Sequence, residues 1–344
     1  MKHVLVVLFV GALCSCAGPS TRPRPVPPGG SPAPPIYLIE ELTWTEIDAL
    51  DRARTLVILP LGMLEQHGPH LPVGADTLAV SFEANAVAQR VSRASSGWSI
   101  VMMPAVPYGH SGANNLGDLP IHPGTYALRQ STFRSLLADV GAELAQNGFK
   151  WIFVLNGHGA PAHRIATDEA CDFVSERFGV TMLDISGLFQ ADPQIQTRGA
   201  QMRETFFSAA EIASFGMDVH AGVAETSGML ALRPDLVRPD YQTLPNQAGR
   251  SLEELRAIAT SPGWQGYLSS PAHATPEYGG AVEAWWVEGL SELILQAIGG
   301  EDMSARPGTP AELPPPIAPV IERVLANEAA FEAELQAWLS QRHR

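Results

Sequence analysis

Short apolar runs alternate with segments of helical periodicity through the middle of the chain. The runs have the length and composition of buried strands, and they cover residues 55–59, 149–155 and 180–185. Apolar side chains also recur at helical spacing, over residues 78–91, 133–144 and 165–178. Strands that alternate with helices predict an α/β fold in which a mostly parallel sheet is covered by helices on both faces.

The first residues have a different pattern. A basic start at Lys2 precedes an apolar run over residues 4–13 that is too short to span a bilayer as a mature helix. Residues 1–16 are therefore predicted to be a lipoprotein-type signal peptide, because the sequence Leu-Cys-Ser-Cys that ends at Cys16 resembles a lipobox. An ordinary cleaved signal peptide is the alternative. We expect a protein of the bacterial cell envelope, lipid-anchored to a membrane through Cys16 and facing the periplasm or the exterior.

Proline-rich segments separate both ends from the folded part. Residues 17–35 are mostly Pro, Gly, Ser and Arg and bury too little apolar surface to fold, so they are predicted to be a tether. Residues 36–300 are predicted to form a single domain. Residues 301–344 begin as a second proline-rich linker and end in a helix, which we expect to pack on the domain or to form a subunit interface. The apolar stripe of that helix consists of Val324, Phe331, Leu335 and Trp338.

Charge and composition narrow the choice of function. The chain has 22 Lys and Arg against 36 Asp and Glu, a net charge of −14, so it would repel the phosphates of nucleic acid, which is not expected as a partner. Hydrophobic residues make up 45% of the chain, which is enough for a sizeable core. Beyond the signal the chain has a single cysteine, Cys171, so no intramolecular disulfide is expected there.

Three polar clusters carry candidate metal chemistry. Ligands of open α/β sheets bind at the carboxyl ends of the strands, and two of these clusters directly follow predicted strands. Imidazole and carboxylate ligands without thiolates suit zinc, manganese or iron, and a shared carboxylate suits a two-metal hydrolytic centre. A helix cap or a salt bridge would explain any single carboxylate, but the joint pattern favours metal. The predicted ligands are Glu65, His67, Asp76, His158 and Glu225.

The first cluster lies in a segment that resembles the signature of the creatininase (creatinine amidohydrolase) family. This segment covers residues 61–77 and contains Glu-Gln-His-Gly-Pro-His at 65–70. The Asn-Gly-His-Gly sequence at 156–159, and His-Ala-Gly at 220–222 followed by Glu-Thr-Ser at 225–227, resemble two later motifs of the family in the same order. Loops at 108–111 and 123–125 resemble its connecting segment.

The resemblance extends over about residues 36–299 and implies a doubly wound α/β fold, oligomeric chains and two divalent metal ions. By motif position, one ion would be held by Glu65 and His158 and the other by His67, with Asp76 as the bridge. Creatininase itself has a further glutamate ligand two residues after the histidine of its second motif, where this chain has Ala160. We propose Glu225 as the replacement carboxylate.

The resemblance implies hydrolysis of a non-peptide C–N bond, in a cyclic amide, a formamide or a small linear amide, by a water molecule that bridges the two metal ions. His220 is the candidate catalytic residue for proton transfer to the leaving nitrogen, with orientation of a ligand as its alternative role. His110 and His122 are candidate substrate contacts. Because residues 160–161 and 111–115 depart from the common relatives, creatinine is not assumed to be the substrate.

Two other classes of function remain open at this point. One is a non-catalytic envelope lipoprotein that keeps the fold to bind a small ligand. The other is a periplasmic metallopeptidase that acts on short peptides. The partners that we expect are a small-molecule amide substrate and further copies of the chain in a homo-oligomer.

Overall fold

The structure, a computed structural model, describes residues 35–117, 122–306 and 317–342, together with Gly308 and Pro315. The predicted signal peptide with Cys16, and the predicted tether apart from Pro35, lie outside the described residues. Within the part of the chain that is described, no helix combines the length and the apolar character that a membrane crossing requires.

A sheet of five parallel strands lies at the centre of the fold, in the order β1-β3-β2-β4-β5. The three predicted strands correspond to β2, β4 and β5, whereas β1 and β3 are additional strands on one side of β2. In register, Val57 of β2 pairs with Val101 of β3 and with Ile152 of β4. The strands are β1 (Ile36–Leu38), β2 (Thr55–Leu61), β3 (Ser99–Met102), β4 (Trp151–Asn156) and β5 (Thr181–Asp184).

Helices connect the strands and follow the last of them. The three segments of helical periodicity in the sequence correspond to α2, α3 and α4. The helices are α1 (Trp44–Asp48), α2 (Ala75–Ala94), α3 (Gln130–Gln146), α4 (Pro161–Phe178), α5 (Ile185–Ala191), α6 (Pro193–Glu204), α7 (Ala209–Phe215), α8 (Val223–Leu232), α9 (Leu252–Ala259), α10 (Pro276–Ile298) and α11 (Ala318–Arg342).

Two hydrophobic cores lie on opposite faces of the sheet, because successive side chains of a strand point to opposite sides. Leu56 and Ile58 of β2 pack into one core with α2 and α10. Val57 and Leu59 pack into the other core with α3 and α4. This arrangement confirms the predicted α/β fold, a doubly wound parallel sheet with helices on both faces, within a single domain.

The direction of winding reverses between β2 and β4, which are neighbours in the sheet. After β2 the chain crosses to β3 on one side, and after β4 it crosses to β5 on the other side. Connections that leave adjacent strands in opposite directions open a crevice at the carboxyl ends of those strands. The first two polar clusters of the sequence follow these two strands.

The C-terminal helix α11 packs through its first turn. Val320 and Ile321 are buried, whereas Phe331 and Trp338 are 59% and 49% exposed. The prediction that the apolar stripe packs on the domain is therefore wrong at Phe331 and Trp338. The physical reason is that the middle of the helix contacts the domain through a polar side chain, Glu328, which faces His110 and the start of α3.

Candidate metal centre

The loop that follows β2 positions two predicted ligands, Glu65 and His67. The backbone N–H of Glu65 donates to Val73 O at 2.8 Å, and its carboxylate accepts a hydrogen bond from the Ala113 N–H. The Nδ1–H of His67 donates to Glu65 O at 2.9 Å. This bond fixes the tautomer of His67, so its Nε2 carries the lone pair that a metal ligand needs.

Asp76 lies between the two halves of the site, in the first turn of α2. Its Oδ1 lies 3.0 Å from His67 Nε2, and its Oδ2 lies 3.0 Å from His158 Nδ1. His158 follows β4, and its Nδ1 also lies 3.1 Å from Glu65 Oε2. The carboxylate of Asp76 therefore connects a side chain from the β2 loop with one from the β4 loop.

Glu225 reaches the site from the first turn of α8, with its Oε2 3.6 Å from His67 Nε2. Asp218 supports this turn, because its carboxylate accepts the N–H groups of the first two α8 residues at 2.8 and 2.9 Å. A Cβ on Gly222 would lie 1.9 Å from Asp218 Oδ1, so glycine is required there for the close approach. Asp218 is absent from the predicted site residues, although an acidic residue shortly before a helix start is a recognisable signal.

The five predicted ligands come together with His220 as three overlapping groups. The first contains Glu65, Asp76 and His158, the second contains His67, Asp76 and Glu225, and the third contains Glu65, His67 and His220. Within each group the ligand atoms lie within 4.8 Å of one another. Asp76 belongs to the first two groups and turns one oxygen to each of two histidines, which is the arrangement of a carboxylate shared by two cations.

Carboxylates dominate the electrostatics of the site. Burial acts to lower the pKa of His67, but the carboxylates of Asp76, Glu225 and Glu65 outweigh it and raise that pKa to about 10. Burial is outweighed in the same way at His158, chiefly by Glu65 and Asp76, and the pKa of His158 also rises to about 10. The Nε2 of His67 is buried and makes no hydrogen bond, although carboxylates face it. A divalent cation would satisfy these groups together, so the donor set fits a metal ion.

His220 borders this cluster, with its ring centroid 4.5 Å from that of His67. Its Nε2–H donates to Gln66 O at 2.7 Å, so Nδ1 is the nitrogen that can accept a proton. Burial lowers the pKa of His220 to about 4, and the Glu65 carboxylate opposes this only in part. The next residue, Ala221, has a φ of 47°, a left-handed conformation that is strained for a residue other than glycine.

The two predicted substrate contacts lie elsewhere. His110 is buried, with its Nδ1 3.2 Å from both Leu128 O and Glu328 Oε1. His122 donates from Nε2 to Trp264 O at 2.9 Å and borders a different surface pocket. Neither lines the cavity beside the metal-ligand groups, because each imidazole faces partners within the protein. The structure therefore does not place His110 or His122 where a substrate of that cavity would touch them.

Asn156 and His163 support the loop after β4, and neither is among the predicted site residues. The side-chain oxygen of Asn156 accepts the His158 N–H at 2.9 Å and the His163 Nε2–H at 3.1 Å. The Nδ1 of His163 accepts the His110 N–H at 3.1 Å. His163 therefore connects the β4 loop to the loop beside Glu65. A histidine in the first turn of the helix that follows a ligand motif is the signal for this role.

A cavity of about 220 Å³ opens beside the ligand groups. The five predicted ligands and His220 line it, together with Ser111, Ala160 and Pro161. Aliphatic side chains of α9 and from the start of α11 complete its lining. The cavity therefore offers a charged region and an apolar region to one small molecule.

Residues 40–294 match a family model described as creatininase, creatinine amidohydrolase. The chain is 30% identical over 274 residues to the creatinine amidohydrolase of Pseudomonas putida, which covers 75% of this chain and 96% of that protein. It is also 30% identical over 276 residues to the mycofactocin precursor peptide peptidase of Mycobacterium ulcerans, which covers 78% of this chain and 95% of that protein.

Solved structures show the same similarity. A crystal structure of creatinine amidohydrolase (creatininase) has a TM-score of 0.58 at 26% identity and covers 77% of this chain and 98% of that chain. A manganese form of creatininase has a TM-score of 0.56 at 27% identity, and a zinc–zinc form of a mutant has 0.55 at 28%, each covering 76% of this chain and 98% of the other. Together with the clustered His, Asp and Glu side chains, these matches identify a metal-binding protein. The chain belongs to the creatininase family and is a hydrolase of that family.

Proposed function

We propose that this hydrolase cleaves a non-peptide C–N bond of a small amide, in a cyclic amide, a formamide or a linear amide, with two divalent metal ions. The ions are zinc, manganese or iron. The observation that carries the proposal is the position of Asp76, whose two oxygens lie 3.0 Å from the ligand nitrogens of His67 and His158. A carboxylate between two imidazoles suits a pair of cations better than a single one.

Each ion would have three protein ligands in this proposal. Glu65, Asp76 and His158 would hold one ion, and His67, Asp76 and Glu225 would hold the other. Glu225 would supply the carboxylate that creatininase has at the position of Ala160. When bound, divalent cations supply Lewis acidity, which polarises a carbonyl group and lowers the pKa of water toward neutrality.

The remaining residues orient groups and move a proton. In the net reaction a water molecule adds to the carbonyl carbon, the C–N bond breaks, and a carboxylate and an ammonium group form, at the two ends of one opened molecule if the amide is cyclic. His220 borders the ligand groups and is neutral at pH 7, because burial lowers its pKa to about 4. We assign it the transfer of a proton to the leaving nitrogen, a proton that such a ring holds only transiently. The bond from its Nε2–H to Gln66 O keeps the ring in place while this occurs.

Metal content tests the proposal directly. We expect purified protein to contain about two divalent ions per chain and the variant Asp76→Asn to lose both, because Asp76 belongs to both ligand groups. Metal analysis by mass spectrometry measures this, with Glu288→Gln as the control because Glu288 is an exposed carboxylate of α10. A wild-type protein that binds no metal, or an Asp76→Asn variant that keeps two ions, would refute the two-ion site.

Turnover then separates the candidate substrates. The panel contains creatinine, cyclic ureides, formamides, linear amides and short peptides. Short peptides are the second candidate, since one relative of similar identity is named a peptide peptidase. Cleavage of amides but not of peptides supports the proposal, and cleavage of peptides alone overturns it.

We also propose that the chain is exported and held at a membrane by a lipid on Cys16. The apolar run before Cys16 and the proline-rich segment after it support this proposal. We expect the wild-type protein to fractionate with membranes and Cys16→Ser to appear in the soluble fraction. The same distribution for both proteins would contradict the lipid anchor.

A further inference from the structure

One wall of the cavity is aliphatic and is built from segments that are distant in sequence. The side chains of this wall are Leu116, Leu252, Leu255, Ile317, Val320 and Ile321. Four of these side chains are buried, namely Leu255, Ile317, Val320 and Ile321. Among the described residues that line the cavity, the charged and imidazole groups all belong to the ligand groups or to His220, so the aliphatic wall has no charged member.

The C-terminal segment supplies half of this wall. Ile317 and Ile321 share a hydrophobic cluster with Ala162, which follows the β4 loop, and with Leu116 and Leu252. The family model ends at residue 294, so these two side chains come from a part of the chain that the model does not cover. The aliphatic wall is therefore a feature of this chain that lies partly outside its family match.

The helix that carries the wall is fixed by polar contacts further along. Glu328 accepts a hydrogen bond from the Gln130 N–H at 2.9 Å, and its other oxygen lies 3.2 Å from His110 Nδ1. Arg129 forms an ion pair with Glu332 at 2.5 Å. These contacts hold α11 against the start of α3, so Val320 and Ile321 have a defined position at the cavity.

The chemistry of the wall defines what it accepts. Each methylene group that is buried against it strengthens binding, whereas a polar group that is buried there without a hydrogen-bond partner weakens it. The cavity of about 220 Å³ would have to hold the cations and water at the ligand groups as well as the substrate, so only a small aliphatic group fits beside the amide.

We propose that the substrate is an amide with a small aliphatic substituent, and that Ile317, Val320 and Ile321 select this substituent. This inference rests on the proposed amidohydrolase function. The amide group lies at the metal ligands and His220, and the aliphatic group lies against α9 and α11. Hydrolysis of such a primary amide consumes one water molecule and yields the carboxylate and ammonium.

Primary amides from formamide to octanamide test this inference on the metal-loaded full chain. We expect kcat/KM to rise about fourfold with each methylene until the aliphatic wall is covered and then to fall, because the cavity is filled. Val320→Phe should move the optimum to shorter amides and Ile321→Ala to longer ones. Trp338→Ala is the matched control, since Trp338 lies on the same helix but is exposed, and its profile should equal that of the wild type.

Two further measurements keep the outcome clear. Circular dichroism shows whether Val320→Phe and Ile321→Ala fold. If they do not, Ile317→Val, which removes one methylene, takes their place. This variant should lower kcat/KM for pentanamide but not for formamide. Calorimetry gives the dissociation constants of the product carboxylates from acetate to octanoate, which should follow the same dependence on length. Equal kcat/KM for pentanamide and for polar amides of the same size, such as malonamide, overturns the inference, and so do variants with an unchanged profile. If carboxylates bind with this dependence but no amide is cleaved, the proposed function fails and the aliphatic site stands.

Discussion

At the scale of single residues, the candidate ligands can be predicted because their chemistry is carried by residue type and local spacing. Glu65 and His67 lie two apart after an apolar run, and His158 follows a second one. The contacts of His110 cannot be predicted in this way, because its carboxylate partner, Glu328, is far away along the chain and meets it only through the packing of α11. A histidine next to a motif is therefore weak evidence for substrate contact.

The two glycines of the Asn-Gly-His-Gly motif are not equivalent. A Cβ on Gly157 would lie 2.8 Å from Asp76 O, whereas a Cβ on Gly159 would meet no atom within 4 Å. We therefore expect Gly157→Ala to push α2 away from the β4 loop and to weaken metal binding by about 10–100-fold, as displaced supporting groups usually do. Gly159→Ala should keep wild-type affinity. Competition with a chelator measures both, and equal losses in the two variants would show that the close approach at Gly157 does not matter.

At the scale of elements, the interior of the fold is predictable and its margins are not. The strands β2 and β4 are continuous apolar runs because they are buried on both faces, and such runs are visible in the sequence. β1 has three residues and none of them is buried, so it has no distinctive pattern. β3 is four residues long and begins with a polar residue, Ser99.

The C-terminal helix shows why periodicity alone is insufficient. Phe331 and Trp338 lie at helical spacing and still remain exposed, whereas Val320 and Ile321 are buried against loops and helices that the sequence does not place nearby. An amphipathic pattern predicts that a helix has an apolar face but does not identify the surface that the face meets. The aliphatic wall of the cavity is therefore visible only in the folded chain.

At the scale of the whole molecule, a buried acidic pair makes stability depend on pH. Glu83 of α2 and Glu283 of α10 are both buried in the packed domain. Burial raises the pKa of Glu283 to about 7, and burial together with the Glu283 carboxylate raises the pKa of Glu83. Unfolded glutamates lose their protons near pH 4.5, whereas the folded pair keeps them to higher pH. The contribution of this pair to the free energy of unfolding therefore decreases as pH rises from about 4.5 to 7.

The variant Glu283→Gln tests this dependence, because glutamine is neutral in both states. As pH rises from 5 to 8, we expect the free energy of unfolding of the variant, relative to that of the wild type, to increase by on the order of 1–3 kcal/mol. Urea denaturation at several pH values measures the difference, and subtraction of the wild-type curve removes the contribution of the metal site. Glu288→Gln on the same helix should follow the wild type, since Glu288 is exposed. If the free energy of unfolding has the same pH dependence in Glu283→Gln and in the wild type, the prediction is contradicted.

The ligands of the metal centre come from the β2 loop, the β4 loop and α8, so the coordinating atoms are assembled only after most of the polypeptide has been synthesised and folded. A chain in which these segments have not yet folded cannot hold a metal ion in this geometry. Metal uptake must consequently follow folding, and any ion that the protein binds is drawn from the compartment in which folding is completed.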